Sequence, residues 1–284
     1  MKLRDIYLKT NIKYFKGLTY NNTFNSVFSI KIAKSKEDLE TVYRLRHMAY
    51  CEENNFEPQN EYRQEVDEFD KHSMHSIIYY KPTGDALGTV RVVLPHGNDY
   101  NHYFPVQEHM DNPFLHNRLE MNNHSEISRL AIPSSIKNKI MEDRSCWSFY
   151  EKTITGCLAK YAVLGLFRAS IEMSLLNNVP NCIYVAEPRL INMLNRVGVK
   201  WVKILGEAVE YHGTGIRQPI SINILENATK GLYACPDTAL IITDNNRIQK
   251  LATQVEANRM RNESIMEGID DLHALDEERM TEVA

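Results

Sequence analysis

Apolar residues recur along this chain with two periods. Leu39, Val42, Tyr43, Ala49 and Tyr50 follow spacings of three and four, the repeat of one helix face. Ser35-Lys36-Glu37-Asp38 stands before them, with Asp38 placed to complete a capping box. A helix is therefore predicted from Ser35 to about Glu53. Val27–Ala33, Ser76–Tyr80, Leu87–Leu94 and Glu126–Ile132 have strand chemistry. The second and third of these flank Lys81-Pro82-Thr83-Gly84-Asp85, a turn composition in which Gly84 can take positive φ, so they read as a hairpin. A polar excursion, Pro95 to Asn123, holds four of the ten histidines.

Further on, a long helix is expected over about Phe149–Leu176 and a short buried strand over Cys182–Val185. Glu187-Pro188-Arg189 opens another helix, with Leu190, Met193, Leu194 and Val197 inward and Gly198 as its stop. Trp201–Leu205 and Ser221–Leu225 supply two more strands, and a last helix is predicted near Asn246–Asn262. The order β-α-β-β-β-α-β-α-β-β predicts an α/β (α+β) domain with a central mixed sheet flanked by helices. Its expected limits are 27–226, between an N-terminal extension (1–26) and a C-terminal helix with an acidic tail (227–284).

Composition narrows the class. The chain of 284 residues is 43% hydrophobic and 25% charged, with a net charge of −4, which fits a globular protein and lacks the basic surplus of a nucleic-acid partner. Five scattered cysteines (Cys51, Cys146, Cys157, Cys182, Cys235) form no CxxC pair, so neither a metal site nor a disulfide framework is expected. A reducing, cytoplasmic setting is the simplest expectation. The most apolar stretch contains Lys160, Arg168 and Glu172, so no integral membrane span is expected.

Charge falls where the pattern predicts burial. Arg46 lies on the apolar face of the first helix, and Glu65, Asp67 and Asp70 follow close behind. A buried guanidinium needs such partners. Arg91 alternates with Val90 and Val92, and Glu126, Ser128 and Arg129 sit on one strand. By alternation Arg129 faces away from Glu126 unless a bulge intervenes. Clusters of this kind are more often reaction sites than scaffolds.

Arg46…Tyr50, Glu65-x-Asp67-x-x-Asp70, Gly88-x-x-Arg91 and Glu126-x-Ser128-Arg129 together resemble the acyl-homoserine-lactone synthases, which are GNAT-fold acyltransferases. YVAEPRLINMLNRVGV and ILGEAVEYHGTGIRQP look instead like the N-acyl amino acid synthases and the exosortase-associated acyltransferases. The resemblance spans about residues 27–225. It implies a GNAT-like fold, no bound cofactor, and transfer of a fatty acyl group from acyl carrier protein to a small amine or amino acid. The donor would be a phosphopantetheine thioester, with coenzyme A the less favoured carrier. A homoserine-lactone synthase, or a non-catalytic acyl-binding module on the same fold, are the alternatives.

On this reading Glu126 is the candidate base, or an ion-pair partner of Arg91 or Arg129. His212 is the alternative base, in a loop that also holds Tyr211 and Arg217, and backbone N–H groups near Arg129–Ala131 would bind the oxyanion. Arg46, Glu65, Asp67, Asp70, Arg91, Ser128 and Arg217 are candidate substrate-binding residues. Either Arg91 or Arg129 would clamp a carboxylate or pair with Asp67 or Asp70. The strands at Glu126–Ile132 and Cys182–Val185 should splay and open an apolar tunnel. The glycine-rich pyrophosphate loop of coenzyme A-dependent GNAT enzymes has no counterpart at Pro133–Ile140. Lys137, Lys139 and Arg144 are therefore candidates to meet the acidic surface of a carrier protein.

Overall fold

A computed structural model of the protein describes residues 20–142, 158–196, 199, 202–211, 215–224, 226–227, 240–244, 247–258 and 260–261. The expected capping box is present: Ser35 Oγ accepts from the Asp38 N–H at 3.2 Å, and the Asp38 carboxylate accepts from the Ser35 N–H at 3.3 Å. It opens helix α1 (Lys36–Arg46). The predicted single helix to Glu53 then changes pitch, because His47–Glu53 forms a π-helix. Such widened turns concentrate at functional sites, and this one presents Ala49 and Tyr50 to the cleft described below.

Strands β1 (Phe28–Ile32), β2 (Ser73–Tyr80), β3 (Asp85–Val93) and β4 (His124–Ala131) pair antiparallel in sequence order. The β2–β3 turn uses Gly84 at φ 75°, as its composition requires. The polar excursion before β4 contains two short helices, α2 (Pro105–His109) and α3 (Arg118–Asn122). After β4 come α4 (Ser134–Glu142) and α5 (Leu158–Leu176), long enough to return the chain for a parallel pairing of β5 (Asn181–Ala186) with β4. Helix α6 (Pro188–Arg196) and the strands β6 (Val202–Ile204), β7 (Val209–Glu210) and β8 (Ile216–Asn223) follow. The sheet order is β1-β2-β3-β4-β5-β8-β6, with β7 paired to β8. β8 starts five residues before the predicted Ser221. The last expected helix is observed over 247–258.

Helix α5 covers one sheet face. Gly165 lets it approach closely: a Cβ there would lie 2.7 Å from both Ile78 and Phe24 side chains. Phe24, upstream of the expected start at residue 27, is buried in this core, as are Ile241, Ile248 and Val255, downstream of the expected end at 226. The packed unit is thus wider than the 27–226 division. The other face carries a second cluster in which Phe104, Leu115 and Met121 pack on Val93 and Ile183.

Two irregularities in β4 shape the site. Arg91 is registered with Ser128 and Thr89 with Ala131, so β4 carries one residue more than β3 in that interval, a β-bulge. Arg129 sits within it at φ 49°. Gly88 makes the approach possible, because a Cβ there would meet the Ala131 carbonyl oxygen at 2.6 Å. In addition, β4 and β5 pair only from His124↔Asn181 to Ile127↔Tyr184. Beyond that point β5 continues with β8 alone, and the two strands part.

Candidate active site

The parting strands form one wall of a cleft of about 650 Å³. Glu126, Ser128 and Arg129 of β4 line it, together with Asp67, Val185, Tyr211 and Arg217. The cleft is not the expected apolar tunnel. Ile127, Leu130, Ala131 and Ile132 supply apolar wall, but Glu57, Glu108, His109 and Glu187 line the same space. The polarity comes from segments packed over the gap: the stretch after the π-helix (Glu57), α2 (Glu108 and His109) and the turn before α6 (Glu187). To these the bulge in β4 adds Arg129.

Behind this wall lies a paired charge cluster. Arg46 is 0% exposed; its Nε donates to Glu65 and its Nη1 donates to Asp70 at 2.6 Å. Arg91, also fully buried, donates through Nη1 to Asp67 at 2.5 Å and Asp70 at 3.1 Å, and through Nε to Ser128 Oγ at 3.1 Å. Arg129 completes the group: its Nε is 3.1 Å from Glu65, and its Nη2 is 3.2 Å from Asp67 and 3.3 Å from Glu57. Its guanidinium also lies over the Tyr50 ring at 5.4 Å. The bulge therefore brings Arg129 to the same side of the sheet as Arg91 and Ser128.

Burial alone would raise the carboxylates of this cluster, but the arginines outweigh it. Asp70 is held at about 2 by Arg46 and Arg91, and Glu65 below its ordinary value by Arg46 and Arg129. Glu126 behaves in the opposite way. Burial raises it to about 7, opposed by the Val106 N–H, which donates to its Oε2 at 2.9 Å, and by the more distant charges of Arg91 and Arg129. Among the described residues it makes no ion pair. It is a buried carboxyl facing the cleft and titrating near neutrality, which suits a general base.

Of the candidate residues, Glu126, Ser128, Arg129, Asp67 and Arg217 reach the cleft, whereas Arg46, Glu65, Asp70 and Arg91 stand behind it. Arg217 pairs with Glu187 at 3.2 Å on the opposite side. His212 and Arg144 lie outside the described residues. Lys139 is exposed and pairs with Asp85 at 3.0 Å, and Lys137 is half-buried on the same helix. No group of three or more metal-type side chains converges among the described residues, and none of their helices is long and apolar enough to cross a membrane.

Sequence reasoning missed several lining residues. Glu57 comes from a loop, and Glu108 and His109 from the short helix α2, in polar stretches whose sequence shows no periodicity. His109 meets Tyr211 edge-on, with centroids 5.1 Å apart. Glu53 also gave no signal, yet its carboxylate accepts from the Ser134 N–H at 2.7 Å and from the Ser135 N–H and hydroxyl at 2.9 Å each. It caps the N-terminus of α4 from another part of the chain.

Residues 45–147, which include the first helix's end, the bulge and both strands of the charge cluster, match the family described as acetyltransferase (GNAT) domain. That match assigns a GNAT domain to residues 45–147. Solved structures agree with that fold. LasI, an acyl-homoserine-lactone (AHL) synthase, is 20% identical with a TM-score of 0.51, covering 72% of this chain and 93% of its own. TofI, solved in a ternary complex with an inhibitor and MTA, is 15% identical at TM-score 0.51, with 76% and 99% covered. MesI, described as a CoA-dependent acyl-homoserine lactone synthase, is 15% identical at TM-score 0.50, with 73% and 95% covered. At these identities the likeness is one of fold. No curated protein matches the sequence.

Proposed function

We propose that the GNAT domain N-acylates an amino acid or similar small amine with a fatty acyl group taken from acyl carrier protein. The observation that carries this reading is Glu126, buried at the splay of β4 and β5 and raised to about 7. The amine nitrogen attacks the thioester carbonyl, Glu126 accepts a proton from that nitrogen, and the C–S bond breaks. The departing sulfur takes up that proton to leave as the thiol, with Glu126 again ionised. Oxyanion donors come from the bulge, where Arg129 and Leu130 have no Cα partner in β3. Arg217 and Arg129 are the cations placed to hold a substrate carboxylate. Each already has an acidic neighbour, so the substrate would exchange with Glu187 or Glu57.

Glu53 supports the choice of donor. A helix N-terminus is a natural phosphate site, but α4 already receives a carboxylate there. A pyrophosphate would have to displace it. A carrier protein brings a single phosphate and its own acidic surface, for which Lys137 and, after release from Asp85, Lys139 are available. MesI, with its CoA-dependent description, shows that a similar fold also serves the other donor.

The test is a competition. Purified protein is given equal concentrations of one fatty acyl group on acyl carrier protein and on coenzyme A, with pooled amino acids and S-adenosylmethionine, and the products are read by mass spectrometry. An N-acyl amino acid formed faster from the carrier protein supports the proposal, with Glu53→Gln raising the coenzyme A rate. An acyl lactone, or equal rates from both donors in the unaltered protein, overturns the acceptor or the donor respectively.

A further inference from the structure

A second cavity, about 490 Å³, opens at the other end of the same sheet face and shares no lining residue with the cleft. Phe114, Glu120, His124, Val202, Lys203 and Ser221 line it. Strand register explains the grouping. His124 lies opposite Asn181, and Asn181 opposite Asn223. Ser221 is two residues from Asn223 and so shares that face. Lys203 of β6 is the direct cross-strand partner of Ser221.

His124 Nε2 is 3.0 Å from Ser221 Oγ, and its Nδ1 is 2.6 Å from the Glu120 main-chain oxygen. A carbonyl oxygen only accepts, so Nδ1 carries the proton and Nε2 is left to accept from the Ser221 hydroxyl. The Glu120 carboxylate stands 3.8 Å from Nδ1. The orientation is that of a nucleophile, its base, and a group that fixes the base's tautomer. Burial lowers the pKa of His124, which keeps it neutral and able to accept. The Phe114 ring packs edge-on against the imidazole at 5.2 Å and restricts its rotation.

We infer that Ser221 and His124 form a second catalytic pair, separate from the acyl-transfer cleft, that hydrolyses short-chain acyl esters or thioesters. Ser221 Oγ attacks the acyl carbonyl while its proton passes to His124 Nε2. The bond to the alcohol or thiol breaks, and that leaving group takes the proton from His124. Water then attacks the acyl-serine; its proton returns through His124 to Ser221 Oγ, and the carboxylic acid departs. Lys203 lines the cavity with its Nζ over the Phe114 ring at 4.6 Å and is the cation nearest in register to Ser221. It would turn from that ring toward the developing oxyanion, and Val202 forms apolar wall for a short acyl chain. Two half-buried or exposed acidic side chains, Glu120 and Glu226, also line the cavity and disfavour anionic acyl groups.

The full chain is treated with a fluorophosphonate and digested, and the adduct is located by peptide mass spectrometry. An adduct on Ser221, reduced at least about tenfold in His124→Gln, is expected. Hydrolysis of 4-nitrophenyl butyrate should fall about 100-fold in Ser221→Ala with an unchanged circular dichroism spectrum. Butyryl-N-acetylcysteamine tells thioesters from oxygen esters, and turnover of neither overturns the inference. So does a folded wild-type protein in which Ser221 stays unlabelled, or hydrolysis that persists in Ser221→Ala. Should His124→Gln fail to fold, wild-type labelling at Ser221 alone decides. Acylation of amines in the cleft is read separately, so either activity can fail without the other.

Discussion

Two sets of buried carboxyl groups lie on either side of the cleft wall, and they titrate in opposite directions. Behind the wall, Glu65 and Asp70 share three arginines and stay ionised well into acid. In the wall, Glu126 has a single backbone N–H as its hydrogen-bond donor among the described residues, and burial carries it to about 7. The residue types are alike and both environments are dry. What differs is whether a guanidinium is within contact distance. A fully paired cluster is rigid and chemically quiet, whereas a lone buried carboxyl can gain and lose a proton at working pH. The paired cluster holds Ser128 and Arg129 in place, and the unpaired residue keeps a proton it can exchange.

The sharpest way to break this contrast is to remove the titrating group. Glu126→Gln should lower the chemical rate by about 10²–10⁴-fold, with folding retained. Wild-type turnover should rise with pH through about 7, as Glu126 loses its proton, and the variant should lack that acidic limb. Single-turnover kinetics across this range would check both. A variant whose KM rises while kcat and the pH profile hold would assign Glu126 to orientation instead.

The cluster is tested by stranding it. Arg46→Ala leaves Glu65 and Asp70 buried without their principal partner and should cost about 3–5 kcal/mol, read by urea unfolding. The pH dependence follows from the depressed carboxylates. Asp70 at about 2 against an ordinary 3.8 contributes stability that is complete above about pH 4. That contribution is lost as pH falls toward 2. Arg46→Ala should flatten this acid limb. Glu126 has the reverse sign: its raised value stabilises the folded state in acid and the contribution disappears as pH rises through 7.

A smaller effect should come from the bulge that separates the two sets. In Gly88→Ala the added methyl meets the Ala131 oxygen, so β4 must shift, at a cost of about 1–3 kcal/mol. Turnover should fall by more than the stability loss explains, because Arg129 moves with the bulge. A variant as active and stable as the parent would show that β4 yields there without disturbing the site.

The helix start at Ser35, the turn at Gly84, the strands that carry Arg91 and Glu126, and the need of Arg46 for acidic partners were all legible in residue order. Each depends on short-range rules: a cap three residues away, alternation along a strand, or a cation on an apolar face. The side of the sheet that Arg129 occupies was not legible, because one extra residue in β4 reverses the alternation, and the room for it is left by Gly88 on another strand. Nor could residue order reveal that Glu53 caps α4 from 81 residues away, or that His124 meets Ser221 across 97 residues. The polar stretch from Pro95 to Asn123 carried no period, yet it supplies Val106, Glu108 and His109 to the site. Local sequence set the elements and supplied the charges. Which charges paired, and which one was left unpaired, depended on contacts between distant segments that only the assembled sheet brings together.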